Sequence, residues 1–401
     1  MANSSITAAQ GFEAAGISCG IKQSGHLDLG LISCPTGAMA AAVFTTNRIT
    51  SPAVDVCRDH AGGSGRVKAV IANSGNANAC TGRSGRKDAL AMCRETALHL
   101  DGQTEEVLPA STGIIGKPLP MSKVRQGIGV AARTLSPSAK AGLQFARAIM
   151  TTDTRPKQAV RRFTVSGRDI TVAGTIKGAG MIGPNMATTL CFLTTDLAMH
   201  QSLLGRALRT AVGASLNKLT VDGHQSTNDT AILLASGLAG NRASTAQQPA
   251  YRCFVAALVS LCDDLTRQMA LDAEGATRMF KVVVTGAASQ REAARGARAV
   301  AGYDLVKCAV HGADPNWGRI LCAIGSAGVQ LRLDRLTCKL DKLTVFRRGG
   351  PCKFDIKEAR RIISRKEHTI FIELGVGSHR DFCYGVDLSE EYVAINADYH
   401  T

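Results

Sequence analysis

The sequence predicts mixed α/β layers rather than a helical bundle or an all-β sandwich. Three observations carry this expectation. Short apolar, β-branched runs alternate with amphipathic stretches of helical period along the whole chain. Of 401 residues, 45% are apolar and 20% charged, enough to bury one large core or two ordinary ones. No internal repeat or low-complexity linker marks a domain boundary.

KAVIA at 68–72 reads as a buried strand running into the Asn/Gly-rich loop 73–78, followed by a helix over 87–100. Ser122 is placed to cap a helix in MSKVRQGIGVAARTL. The runs 163–165 and 170–172 flank Gly167 and predict a hairpin. TLCFLT at 189–194 reads as a strand, 200–216 and 251–270 as helices, 280–284 as a strand, 291–303 as a helix and TIFIEL at 369–374 as a strand. The basic stretch 347–366 reads as an amphipathic surface helix, because Asp355 and Glu358 interleave with Ile356, Ala359, Ile362 and Ile363.

Composition narrows the function. No apolar run approaches the roughly 20 residues of a membrane helix, and the start MANSSITAAQGFEAAG lacks the basic and apolar segments of a secretory signal. The expectation is a cytoplasmic protein with no membrane partner. Thirteen cysteines without a C-x-x-C pair predict reduced, mostly buried thiols. Nine dispersed histidines, no two on one helical turn, predict no metal. The net charge of +15 raises nucleic acid as a partner, but one Trp, five Tyr and charge spread over the whole length argue against it. Trp317 reads as a packing residue.

The segment KGAGMIGPNMATTL at 177–190 stands apart. Its glycines admit unusual backbone angles and Pro184 fixes its own, giving a tightly shaped turn that presents Thr188 at the entrance of a strand. On geometry alone, a loop with a β-branched residue opening a strand is the more ordinary account.

This segment resembles the self-processing site of the ornithine acetyltransferase family, the bifunctional glutamate N-acetyltransferases. The resemblance covers nearly the whole chain: FTTN at 44–47, NSGNANACTG at 73–82, STGIIG at 111–116, AIMTTDT at 148–154, STNDT at 226–230, DAEGAT at 272–277, DPNWGRI at 314–320 and INADYHT at the end. It implies the ornithine acetyltransferase and DmpA-like α/β fold, with layered sheets sandwiched by helices as in N-terminal-nucleophile enzymes. It also implies a cut between Ala187 and Thr188, so that 1–187 and 188–401 fold together as one unit, with two such units in an α2β2 assembly.

In such a precursor the Thr188 hydroxyl attacks the Ala187 carbonyl, and water then opens the resulting ester. The product carries a hydroxyl nucleophile and a free α-amine of pKa about 8 on one residue, so no separate base is needed. By resemblance Thr112 and Gly113 form the oxyanion hole, and Thr151, Lys177, Thr188, Glu274, Asn396 and Thr401 bind substrate. Thr152 neighbours Thr151, and the sequence does not decide between them. Lys177 suits a carboxylate and Glu274 an ammonium.

The implied reaction moves acetyl from N2-acetylornithine to glutamate by a ping-pong route, without a cofactor. Whether acetyl-CoA also serves as donor is open. The loops 73–82 and 226–230 read as structural turns, so Asn73, Asn76 and Asp229 are not expected to act directly. The chain departs from the family pattern at His224, Gln225, Arg278 and His400, the last beside Thr401 and able to alter pocket charge. Two alternatives stand: a hydrolase, which turns over without glutamate, and a non-catalytic basic binding protein, which stays uncut.

Overall fold

The computed structural model describes residues 3–63, 65–165, 167–183, 189–241 and 249–398. Two sheets, both flanked by helices, make up the expected layered α/β architecture. The first contains β1 (Glu13–Ile17), β2 (Leu29–Phe44), β3 (Arg66–Asn73), β4 (Val107–Ser111), β5 (Lys157–Val165), β6 (Arg168–Lys177) and β7 (Leu190–Thr195). The chain then lends β8 (Leu219–Thr220) to the other sheet before β9 (Thr230–Ala235) returns to the first. The second sheet is completed by β10 (Met279–Ala287), β11 (Thr337–Leu340), β12 (Leu343–Arg347), β13 (Gly350–Pro351), β14 (Glu367–Glu373) and β15 (His379–Val386).

The first sheet runs β4-β3-β2-β9-β7-β6-β5 with β1 beside β2, and the second β13-β12-β11-β14-β10-β15-β8. Helices α1 (Pro52–Gly62), α2 (Gly82–His99), α3 (Met121–Arg133) and α4 (Ala139–Ala148) lie between β2 and β5 in sequence. They are followed by α5 (Gln201–Ala214), α6 (Pro249–Ala270), α7 (Gln290–Ala301), α8 (Asp304–His311), α9 (Trp317–Gly325), α10 (Ile356–Ile363) and α11 (Glu390–Asp398).

Strand periodicity explains the layering. All six residues of β9, TAILLA, are buried, and they alternate between two cores. Ile232 and Leu234 join Phe145 of α4 and Phe192 of β7 on one face. Ala231 and Leu233 join Leu204 and Leu208 of α5 and Leu258 and Leu261 of α6 on the other. The second sheet builds its own core from Val282, Ile370 and Ile372 against α7, α9 and α10.

Strands from both sides of position 187 interleave within the first sheet. β6 pairs antiparallel with β7 from Val172–Thr195 to Lys177–Leu190, and β2 pairs antiparallel with β9. Separating residues 1–187 from the remainder therefore exposes strand edges and core together.

The 163–172 hairpin forms as β5 and β6, with Gly167 at φ +73°. Two expectations are corrected. Ser122 does not cap α3: the cap is Pro120, whose ring suits a helix entrance, so Ser122 falls in the first turn. The stretch 347–366 is not one helix: Arg347 ends β12, the chain turns back at Arg348 and Gly349, both at positive φ, and α10 spans only 356–363, capped by Asp355. The 87–100 helix begins earlier, at Gly82, and the 200–216 helix stops at Ala214. All thirteen cysteines are free thiols, seven of them buried. Trp317 packs on Phe346 with ring centroids 5.6 Å apart.

Phe145 and Phe192 meet edge to face at 5.2 Å with no exposure to speak of, tying α4 to the sheet. Phe145→Ala is expected to cost about 3–5 kcal/mol, read as a lower urea midpoint at unchanged slope.

Candidate active site

One cavity gathers the loops that follow β3, β4 and β6, the loop that precedes β9, and the turn after α6. It holds about 570 Å³ of space, counted to its solvent-facing mouth. Thr112, Gly113, Thr151 and Thr152 line it from the first half of the chain, together with Lys177 at the end of β6. Glu274 and, from α11, Asn396 line it from the second half. The structure thus brings seven of the residues singled out in the sequence into one place.

Thr112 donates its backbone N–H to the Asn73 carbonyl at 3.0 Å, which leaves its side chain facing the cavity. Its hydroxyl oxygen accepts from Lys177 Nζ at 3.2 Å. An ammonium only donates, so the Thr112 hydroxyl proton points elsewhere and is available to another acceptor. Gly113 sits at φ +130°, and a Cβ there meets the Gly75 backbone carbon at 2.4 Å; only glycine fits.

Lys177 is fully buried. Burial holds its ammonium pKa below the ordinary value, an effect that Asp153 first and Asp229 next offset only in part. Both Glu274 carboxylate oxygens are engaged: Oε1 accepts from the Thr152 hydroxyl at 2.6 Å and Oε2 from Asn396 Nδ2 at 2.9 Å. Its backbone N–H donates to Ala179 O at 3.0 Å. Gly180 makes room for this carboxylate, since a Cβ there lies 2.1 Å from Glu274 Oε2. The second glycine of KGAG is thereby explained by close approach. Thr151 and Thr152 both line the cavity; the Thr152 hydroxyl is the one bound to Glu274.

The two asparagine-rich loops are tied together by buried amides. Asn228 Nδ2 donates to Ala77 O and to Ser111 O, both at 2.7 Å, and Asn73 Nδ2 donates to Asn76 O at 2.8 Å. Ser226, Thr227 and Asn228 also line the cavity, which their reading as simple turns missed. A polar run that leads straight into the apolar strand TAILLA was the available signal, because polar groups next to a buried strand must be satisfied internally.

Ala187, Thr188 and Thr401 lie outside the described residues, as does His400. Their described neighbours are well fixed. Leu190 is registered against Lys177, and Thr189 donates its N–H to Asp229 Oδ1 at 2.8 Å. The other Asp229 oxygen has no hydrogen-bond partner among the described residues, and burial holds this carboxyl well above the usual carboxylate range despite Thr189 N–H and Lys177. Of the departures from the family pattern, His224 is exposed and Arg278 holds the Val310 carbonyl at 3.1 Å.

The comparisons with known proteins agree with one another. The ArgJ family model matches residues 13–401. An arginine biosynthesis bifunctional protein ArgJ from Symbiobacterium thermophilum is 44% identical over 398 residues, covering 99% of this chain and 98% of its own. The chain belongs to the ArgJ family. A further member, from Synechocystis sp., is 42% identical over 99% of this chain and 98% of its own. Among solved structures, the arginine biosynthesis bifunctional protein argJ of Bacillus halodurans aligns at a TM-score of 0.51 and 39% identity, covering 52% of this chain and 98% of that one. ArgJ relatives are thus matched from end to end, and the cavity residues fall inside the matched region.

Asp153 supplies a pH test of the cavity wall. Burial raises its carboxyl pKa, but Lys157 and then Lys177 outweigh burial and set it at about 2, against 3.8 for the free group. A depressed carboxyl contributes stability above pH 3.8 that is lost as pH falls through about 2. On the order of 2 kcal/mol is expected to disappear across that window, and Asp153→Asn to flatten that part of the profile in urea titrations run at stepped pH.

Proposed function

We propose that this chain is a self-cleaving acyltransferase of arginine biosynthesis that carries acetyl from N2-acetylornithine to glutamate on Thr188. The observation that carries the reading is the Lys177–Thr112 hydrogen bond, which turns a threonine hydroxyl into an oriented donor beside Gly113, with Lys177 registered against Leu190 at the start of β7. An acyl-transfer site needs such a donor where the oxyanion develops.

Self-cleavage begins when Thr188 Oγ attacks the Ala187 carbonyl carbon; the C–N bond breaks and the hydroxyl proton ends on the new α-amine. Water then cleaves the ester, leaving the Ala187 carboxyl and a free Thr188. In transfer, the α-amine takes the Thr188 hydroxyl proton as Oγ attacks the acetyl carbonyl, then hands it to the departing ornithine amine. The glutamate amine attacks the acetyl ester, and Thr188 regains its proton. Thr112 and Gly113 hold the oxyanion in each step, Lys177 binds a carboxylate, and Glu274 with Asn396 holds the ammonium end. Thr151, Thr152 and Thr401 complete the pocket. No cofactor enters this scheme, and acetyl-CoA is an alternative donor to be tried.

The length of the solved Bacillus halodurans chain supports a cut. Matched over 98% of itself, it spans 52% of this chain, and residues 188–401, 214 of 401, are 53%. The interleaved first sheet supports two pieces that stay together, and two such pairs make the α2β2 assembly.

Intact mass of the purified protein is expected to show pieces 1–187 and 188–401, and a Thr188→Ala variant a single uncut chain. An uncut, inactive parent overturns the reading. Thr112→Val, which keeps shape and removes the hydroxyl, is expected to lower kcat about 100- to 1000-fold. Turnover that persists without glutamate identifies a hydrolase instead.

A further inference from the structure

Behind the cavity wall lies a buried ion cluster with no place in the chemistry described so far. Lys157, at the first position of β5, is 1% exposed, and its Nζ lies 2.5 Å from Asp153 Oδ1 and 2.5 Å from Asp272 Oδ2. Each carboxylate in turn grips cavity backbone. Asp153 accepts from Thr151 N at 3.0 Å and from Gly178 N, next to Lys177, at 2.8 Å. Asp272 accepts from Thr154 N at 3.2 Å and from the Thr154 hydroxyl, and stands two residues before Glu274.

Three walls of the pocket therefore converge on one ammonium: the 151–154 turn, the end of β6, and the turn after α6. We propose that Lys157 is a positioning residue: by clamping Asp153 to Asp272 it sets the spacing between Lys177 and Glu274, and with it the length of amino-acid side chain the pocket accepts. This rests on the reading of the cavity as an amino-acid acyl-transfer site.

Two physical arguments support the clamp. Buried ion groups of this kind are not needed for stability, since apolar residues of similar volume serve as well or better; what they provide is a fixed geometry. The β-ladder also fixes the Lys157 backbone, because Lys157 is registered against Ile176, the neighbour of Lys177, and its carbonyl accepts from the Thr175 hydroxyl at 2.9 Å. Asp153 and Asp272 face Lys157 and Lys177, with the exposed Arg155 3.8 Å from Asp272 Oδ1, and Asp153 acts on both lysines. Removing Lys157 alone leaves the buried Asp153 without that partner and draws Lys177 toward it and away from Thr112. A displacement of about 1 Å at such a site is worth about 100-fold in rate.

The test uses the full-length protein with Lys157→Met and with the charge-balanced pair Lys157→Met/Asp272→Asn, which keeps an acceptor for Thr154 and leaves no uncompensated charge. Donors are the N2-acetyl derivatives of ornithine and of the diamino acids one methylene shorter and longer, with glutamate as acceptor. The unmodified protein is expected to prefer one length. The balanced variant is expected to fold, to raise KM for that donor about tenfold with kcat changed less than about threefold, and to lose about tenfold of its preference between lengths. A folded balanced variant with a lower melting temperature but KM and preference within about twofold of the parent shows that the cluster only stabilises, and overturns the proposal. If the unmodified protein transfers no acetyl group from any of the three donors, the acyl-transfer reading fails first and the clamp proposal falls with it.

Discussion

The buried ammonium of Lys177 is the constraint around which the site is arranged. A lysine with no exposure is held charged only beside a counter-ion, and Asp153, whose carboxyl is itself depressed, is the one that faces it. Asp153 also accepts from Gly178 N and Thr151 N, which fixes where the end of β6 stands relative to the 151–154 turn. That placement in turn orients Thr112, because the Lys177 ammonium can only donate to the Thr112 oxygen. Gly113 and Gly180 are consequences of the same crowding. One presses the backbone against Gly75, and the other leaves space for Glu274.

The sheet that carries Lys177 also explains how a chain can be cut and remain one molecule. β7 and β9 lie between β2 and β6, so residues from both sides of position 187 share hydrogen bonds and two faces of core. A break in the connection between β6 and β7 removes no ladder bond between them. Two pieces cut there would hold each other by the same burial that folds the intact chain. A free chain end at the start of β7 is thus compatible with an undisturbed scaffold, which is what a nucleophile bearing its own amine requires.

Much of this was legible in the sequence where local signals and burial agree. The β5–β6 hairpin, α6 and α7 follow from period and punctuation. The long β2 did not, because Pro35 and Gly37 interrupt it and its register shifts between Ser33 and Ala38. β8 is only two residues long and exists through its pairing with β15. At the site, the glycine-rich segment and STGIIG pointed to loops that line the cavity. The Asp153–Lys157–Asp272 cluster was hidden, because Lys157 stands among Arg155, Arg161 and Arg162 and nothing local tells a buried lysine from its basic neighbours. Asp229 read as a turn residue; its burial against Thr189 is visible only once the strands around it are assembled.

The central claim, that acetyl resides on Thr188 between donor and acceptor, is tested most directly by acid-quenching the enzyme with N2-acetylornithine in the absence of glutamate and mapping the modified peptide by mass. The account predicts one acetyl group on the peptide that begins at Thr188, removed when glutamate is added before the quench and absent in Thr188→Ala. Acetyl on another residue, or none on an enzyme that nevertheless transfers it, contradicts the account.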